Sequence, residues 1–196
     1  MRQRCPIQRI PFYFVRHGET VGNVRSLCQG RIDFPLTERG ERQARAAGES
    51  LQGRGIVRIA TSPLARARST TRIIAEVLGL SDVAEHHGLI ERGWGELEGQ
   101  HNSFMFAQEE RERMPSYTGV SDIKGIETKE ELLTRIASAM NDLLVGASPL
   151  AIVGHGRFFN GLCELLNVPP IEQIGNGAPV YCMPGRAAES WEISSL

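Results

Sequence analysis

Two apolar runs in this chain each drive straight into a histidine followed by glycine. Phe12-Tyr13-Phe14-Val15 leads into Arg16-His17-Gly18, and Leu150-Ala151-Ile152-Val153 leads into Gly154-His155-Gly156. A short apolar run halted by glycine reads as a buried strand passing into a loop. In open α/β sheets, ligands bind just beyond the carboxyl ends of the strands. Arg16 and His17 therefore stand where a ligand would be, and if the two strands are neighbours both imidazoles face one crevice. A single histidine at a strand end is as readily a satisfied structural residue. The surrounding residues decide between these readings.

The segments between the two runs alternate in type. Thr37 is placed to cap a helix through about Leu51, with Ala44, Ala47 and Leu51 on one face and Gly53 and Gly55 beyond it. Ile56 to Thr61 is a second short apolar strand. Ser62 then caps a helix with Pro63 at its first position, buries a stripe of Leu64, Ala67, Thr71, Ile74 and Leu78, and stops at Gly79. Strand, helix, strand, helix is the pattern of a parallel sheet. Val21 to Pro35 reads as a loop, and Asp82 to Arg92 as partly extended. From Gln100 to Gly125 the periodicity is poor, and this stretch, with Phe104, Phe106 and Tyr117 among charges, reads as a short helical lid at about 100–126. Thr128 and Glu131 form a capping box for a helix with Leu132, Ile136, Met140 and Leu143 inward. After His155 comes a helix burying Phe159, Leu162, Cys163 and Leu166, and the tail from about Pro179 to Ser194 adds one or two edge strands. No repeat, low-complexity tract or linker divides the chain, so residues 1–196 read as one domain.

Composition narrows the functional class. A hydrophobic fraction of 41% and a formal net charge of -1 suit a globular protein and argue against a general nucleic-acid binder. The N-terminal MRQRCPIQRIP is too broken for a signal peptide, and no stretch approaches the roughly 20 apolar residues that span a bilayer. Cys5, Cys28, Cys163 and Cys182 form no CxxC pair and read as reduced thiols of a cytoplasmic protein. None has an arginine six residues on, so a cysteine-based phosphatase loop is absent. A glycine-lysine phosphate loop is absent too.

Two arginines and a carboxylate join the histidines. Arg66 falls in the first turn of the helix after the second strand, an anion-friendly terminus, and Glu91 falls at a further strand-to-loop boundary. Such a set fits phosphoryl transfer, which is mainly a matter of placing charge and holding an in-line geometry. Arg16 and Arg66 can grip phosphoryl oxygens bidentately, and His155 can add a donor. His17 must be neutral to attack, a form that nearby guanidinium charge favours. Glu91 can protonate the leaving oxygen and then activate water. Two histidines and a carboxylate also make a facial triad for iron, but two arginines in the same crevice would repel the cation. His86, His87 and His101 read as surface residues, Trp94 and the lid aromatics as packing, and Arg68 and Arg72 as solvated.

The whole set resembles the histidine phosphatase superfamily, whose members include the cofactor-dependent phosphoglycerate mutases. Arg16 to Thr20 with Asn23 is similar to its nucleophile motif, and Gln29 to Thr37 to its phosphatase-type second motif. Ser62-Pro63-Leu64-Ala65-Arg66-Ala67 resembles its arginine helix. Glu91, with Trp94-Gly95 and Leu97-Glu98-Gly99, resembles its acid motif, Gly125 to Thr128 the loop before its long helix, and His155-Gly156 its second histidine. The motifs run in family order from residue 12 to 156. The resemblance implies a doubly wound, mostly parallel sheet with helices on both faces. It implies His17 as the phosphorylated nucleophile, Arg16, Arg66 and His155 as the phosphate pocket, and Glu91 as the proton donor. Asn23, Gln29, Gly30 and the Gly156 amide are implied as substrate or phosphate contacts, with no metal and no other cofactor.

The chain departs from the mutases in two places. Their insertion after the acid motif is longer and carries basic residues for the substrate carboxylate, whereas here Arg111 and Arg113 are offset by Glu109, Glu110 and Glu112. They follow the second histidine with Asn-Ser, whereas this chain has Arg157-Phe158. Both departures favour a phosphomonoesterase of small phosphorylated metabolites. The alternatives are a phosphoglycerate mutase, whose Glu91-Arg92 pair this chain shares, and a non-catalytic binding protein. The partner expected is a small phosphorylated substrate, with neither nucleic acid nor membrane; a homodimer is left open.

Overall fold

Strand β1 (Phe12–Arg16) divides its side chains between two cores, and the rest of the fold follows from that division. The computed structural model describes residues 7–115, 119, 121–169, 174–187 and 190–196. Phe12 and Phe14 point into one apolar cluster, Tyr13 and Val15 into the other. Strand β4 (Leu150–Gly154) does the same, sending Leu150 and Ile152 one way and Ala151 and Val153 the other. Successive side chains of a strand point to opposite faces, so a continuous apolar run is what a sheet covered on both sides requires.

Strands β2 (Arg58–Thr61), β3 (Val83–Glu85), β5 (Pro179–Pro184) and β6 (Trp191–Ser195) complete a six-stranded sheet in the order β3-β2-β4-β1-β5-β6. β3, β2, β4 and β1 run parallel, while β5 and β6 add antiparallel partners. The tail was expected to supply edge strands. β6 is one, but β5 lies inside the sheet, paired to β1 as well as to β6.

Helices cover both faces, and the expected doubly wound, mostly parallel sheet is observed. After the four-residue helix α1 (Val21–Val24), α2 (Glu38–Leu51) and α3 (Ala65–Leu78) pack on the Tyr13 face. Beyond α4 (Asn102–Arg113), α5 (Lys129–Leu143) and α6 (Gly156–Leu165) pack on the Phe14 face. The caps of α2 and α5 follow their local sequence: Thr37 accepts the Gly40 amide, and Thr128 and Glu131 form a complete capping box. Gly79 ends α3 with φ 67°, the left-handed turn that glycine adopts without strain.

Two local expectations need correction. α3 does not start at Ser62-Pro63; its first helical residue is Ala65 and its N-cap, Leu64, has no side chain to offer. Asp33 supplies the cap instead, accepting the Ala65 amide at 2.7 Å. The stretch read as a loop from Val21 contains α1, a single helical turn locked by reciprocal hydrogen bonds between Thr20 and Asn23. Among the described helices, α4 has no apolar stripe, and Gln108 is its one buried residue, which is why periodicity did not reveal it. Tyr117 lies outside the described residues.

The loop after β1 is packed backbone to backbone against α2. A Cβ on Gly40 would run into the Glu19 carbonyl, and one on Gly18 into the Gly40 carbonyl. Thr37 ties the same contact by donating its amide to the Glu19 carbonyl at 2.9 Å. Gly40→Ala therefore tests how rigidly this loop is held. Overpacking costs about 1–3 kcal/mol, against a helix-propensity gain of roughly 1 kcal/mol. Since the obstacle is backbone, a net loss of about 1–2 kcal/mol is expected in urea denaturation. A midpoint equal to wild type would mean that the loop gives way freely.

Candidate active site

The parallel pairing of β1 with β4 matches Val15 to Val153 and Arg16 to Gly154, so the residues that follow emerge side by side. The His17 amide donates to the Gly154 carbonyl at 3.0 Å. The two imidazoles lie with ring centroids 5.3 Å apart. His17 Nδ1 is 2.8 Å from the Gly18 carbonyl. A carbonyl only accepts, so Nδ1 carries the proton and Nε2 keeps its lone pair. His155 is fully buried, with Nε2 at 2.8 Å from Ser62 Oγ. Burial, then the charge of Arg66 and of Arg16, holds His17 well below the ordinary imidazole range. Burial, then Arg66 and the neighbouring His17, does the same for His155.

Arg66 is almost wholly buried and is fixed by the loop of the second motif. Nη1 donates to the Ile32 carbonyl at 2.8 Å and to Asp33 Oδ1 at 3.0 Å, and Nη2 donates to the Gly30 carbonyl at 2.7 Å. Arg16 Nη1 donates to the Ile174 carbonyl at 2.8 Å. Burial lowers both guanidinium pKa values, and Glu91 pulls each back up. Four buried nitrogens among the described residues lack any hydrogen-bond partner: Arg16 Nε, Arg66 Nε, His155 Nδ1 and Arg157 Nε. An unpaired buried polar group costs about 1–3 kcal/mol, more when charged. The first three, in one crevice, fit a site for an oxygen-rich anion.

Glu91 sits at the start of α6. Oε1 accepts the Phe158 and Arg92 amides, both at 2.9 Å, and Oε2 accepts the Arg157 amide at 3.1 Å. A carboxylate at a helix N-terminus meets unpaired N–H groups and the positive end of the helix dipole. Asn23 and Gln29 are drawn together by Thr20, whose hydroxyl lies 2.9 Å from Asn23 Oδ1 and from Gln29 Oε1. Gly30 has φ 50° and presses on Glu98, where no side chain would fit.

Eight of the nine residues singled out from the sequence line one cavity of about 340 Å³: Arg16, His17, Asn23, Gln29, Gly30, Arg66, Glu91 and Gly156. His155 is the exception. It is fully buried next to His17 and Ser62. Several positioning residues escaped the sequence reading. Asp33 holds both Arg66 and the start of its helix. Asn176 donates to the His17 carbonyl at 2.9 Å and to Asn23 Oδ1 at 3.3 Å. Thr70 accepts the Gly18 amide at 3.0 Å. Asp33 had a signal, an acid inside the second motif; Asn176, in a glycine-rich turn near the end of the chain, had none.

Helix α4 is tied to its neighbours by charge. Glu112 takes both Nη atoms of Arg92, at 2.9 and 2.7 Å, and Glu109 pairs with Arg157, accepting from Nη2 at 2.9 Å. α4 brings Asn102, Met105 and Phe106 to the cavity lining. The lid aromatics were expected to pack. Phe106 instead lies beneath the Arg157 guanidinium at 5.4 Å, and Phe104 is exposed. Trp94 is packed as expected, buried with Cys28 and Leu97 under the Arg92 guanidinium. His87 and His101 are exposed and His86 is half-buried beside Asp142.

The buried imidazoles make stability depend on pH. With folded-state pKa values below the unfolded value near 6.5, the unfolded chain takes up protons first. Stability should be full above about pH 6.5 and decline on acidification, by up to about 1.4 kcal/mol per pH unit for each histidine. Urea denaturation between about pH 5.5 and 7.5 measures this. His17→Asn should make the slope shallower by about one proton; an unchanged slope would mean that His17 is protonated in the folded protein.

These features recur in known proteins. The model of the histidine phosphatase superfamily (branch 1) matches residues 12–178. The chain is 41% identical over 149 residues to a probable phosphoglycerate mutase, GpmB, of Klebsiella pneumoniae, an alignment covering 74% of this chain and 68% of that protein. A mycobacterial glucosyl-3-phosphoglycerate phosphatase, solved in complex with VO3, superposes with a TM-score of 0.76 at 26% identity, over 95% of this chain and 97% of that one. A putative alpha-ribazole-5'-P phosphatase of Escherichia coli shares the fold, with a TM-score of 0.74 at 22% identity, over 95% and 96% of the two chains. With the family model spanning β1 to the turn before β5, the chain belongs to the histidine phosphatase superfamily, branch 1.

Proposed function

We propose that the protein is a metal-independent phosphomonoesterase that hydrolyses small phosphorylated metabolites through a phosphohistidine. The observation that carries this reading is the charge balance of the cavity. Three arginines line it, Arg16, Arg66 and Arg157. Arg16, Arg66 and Arg157 each keep an unpartnered Nε; among the described residues Asp33 matches the charge of Arg66 and Glu109 that of Arg157, while Arg16 bonds only to a backbone carbonyl. The cavity thus offers a phosphoryl group the unpartnered Nε donors of Arg16 and Arg66 beside His17, while the Arg157 charge is already met by the Glu109 carboxylate. Its volume of about 340 Å³ sits at the small end of ligand sites, which supports a small substrate. Phosphatase names among the structural neighbours support hydrolysis.

In this mechanism His17 Nε2 attacks phosphorus while Nδ1–H stays bonded to the Gly18 carbonyl. The phosphorus–oxygen bond to the leaving group breaks, and the departing oxygen takes its proton from the Glu91 carboxyl. Arg16 and Arg66 hold the equatorial oxygens as charge builds on them, with His155 Nδ1 as a further donor. Glu91, now ionised, removes a proton from water, which attacks the phosphohistidine. The nitrogen–phosphorus bond breaks, releasing phosphate and restoring neutral His17. The preference of His17 for the neutral form leaves it ready to attack near neutral pH. We assign the enzyme to the cytoplasm, a compartment that suits the free thiols of Cys28 and Cys182.

A mutase is the second reading, favoured by the name of the Klebsiella relative. It would have to return the phosphoryl group to a reoriented acid before water reached it. Incubation with 3-phosphoglycerate and a trace of 2,3-bisphosphoglycerate, following 2-phosphoglycerate and free phosphate together, separates the two. Phosphate should dominate; faster formation of 2-phosphoglycerate would make the protein a mutase. His17→Ala should lower phosphate release by at least about 10³-fold, as expected for loss of a covalent nucleophile. It should also abolish an acid-labile, base-stable phosphoenzyme. Exhaustive chelation should leave the rate unchanged, because arginine does the work of a cation here. Activity lost to EDTA and regained with a divalent ion would point to the facial-triad chemistry instead.

A further inference from the structure

We propose that Glu109 is a specificity-determining residue: its carboxylate fills the fork of Arg157 and thereby excludes monoesters whose leaving group carries a carboxylate. The inference rests on the phosphomonoesterase reading and sharpens its substrate class to leaving groups without an acid. Arg157 is the second residue of α6, and its side chain lines the cavity next to Gly156. Its guanidinium is steered by the Phe106 ring below it and by Glu109 beside it. Nη2 donates to Oε2 at 2.9 Å, and Nε lies against Oε1 without the alignment of a hydrogen bond. This side-on pairing of guanidinium with carboxylate is what a substrate acid would need in order to be recognised.

The pair is largely desolvated, with the two side chains 18% and 16% exposed. Burial pushes the Glu109 carboxyl up from its ordinary range, and Arg157 pulls it back down. The carboxylate is therefore held mainly by its partner. An incoming acid would have to displace it or sit beside a like charge in a dry site, and specificity by repulsion of the wrong ligand arises in this way. α4 does not depend on Glu109 alone for its seat, since Glu112 holds Arg92 through two hydrogen bonds. Arg157 and Asn160 also line a second cavity of about 590 Å³ beyond the ion pair, so the pair stands as a charged partition at the leaving-group end of the site.

Glycerol 3-phosphate and 3-phosphoglycerate differ only in a hydroxymethyl against a carboxylate, and their kcat/KM ratio reads the effect directly. Wild type should favour glycerol 3-phosphate. Glu109→Gln keeps the shape and frees the guanidinium, and should shift the ratio toward 3-phosphoglycerate by roughly tenfold or more, the scale of one charge-assisted hydrogen bond. Glu109→Ala provides a second route to the same free guanidinium should the Gln variant fold poorly. The double variant Glu109→Gln/Arg157→Gln should lose the gain. The same ratio is read as dissociation constants by calorimetry in a His17→Ala background, where nothing turns over. A ratio that does not move in the single variants, or that stays shifted in the double variant, overturns the role of Glu109. If wild type releases phosphate from neither compound, the phosphomonoesterase reading falls, and the calorimetric ratio still decides whether Glu109 excludes acids.

Discussion

The structure depends on the register between β1 and β4. Because Arg16 faces Gly154 across the sheet, the chain leaves both strands at the same level and the two histidines that follow share one crevice. Slipping the pairing by one residue would turn every side chain to the opposite face. It would move Phe12 and Phe14 out of the cluster built on α5 and α6, and would separate His17 from the Gly154 carbonyl that holds its amide. Hydrophobic packing on two faces thus fixes a polar geometry at the sheet's edge. The energy comes from apolar burial; the precision comes from the two-residue repeat of the strand.

What the register brings together is expensive to bury. Arg66 is 1% exposed and His155 fully covered. Both imidazoles sit within the field of two guanidinium groups, and some of the donors are left without acceptors. Protein interiors tolerate charge only when it is paired. Here the compensation is partial. Asp33 meets Arg66 from outside the crevice, and Glu91 is held by backbone amides at the start of α6. Arg16 and Arg66, which carry two of the unmatched donors, line the cavity, where a phosphoryl group would supply both the negative charge and the acceptors. A site that is unfavourable alone and complementary to its ligand is expected where binding and catalysis are electrostatic.

Helix α4 follows a different rule. α2, α3, α5 and α6 are held by apolar stripes, but α4 is held by two arginine–glutamate pairs and a buried glutamine. One of those pairs also occupies Arg157, a cation of the cavity lining. One set of interactions therefore seats the helix and sets the charge seen by a substrate.

The sequence by itself determined the core of this protein and most of its site. The apolar runs ending in histidine and glycine, the capping residues Thr37 and Thr128, and the arginine one turn into a helix each carry a local signal. Eight of the nine residues named from the sequence line a single cavity, four of them, Asn23, Gln29, Gly30 and Gly156, named only through the family resemblance. Strand pairing order, the interior position of β5 and the bounds of α4 within the expected helical stretch were not legible. They depend on contacts between distant segments, and α4 lacks the periodic apolar face that marks a helix in sequence. Asp33 capping α3 and Asn176 holding the His17 carbonyl, 159 residues away in the chain, belong to the same class. Composition could count the acids and bases of the lid, but only the tertiary structure decided that Glu109 faces Arg157 and Glu112 faces Arg92. Which charges cancel is set by distances of a few ångströms across elements that the sequence leaves far apart.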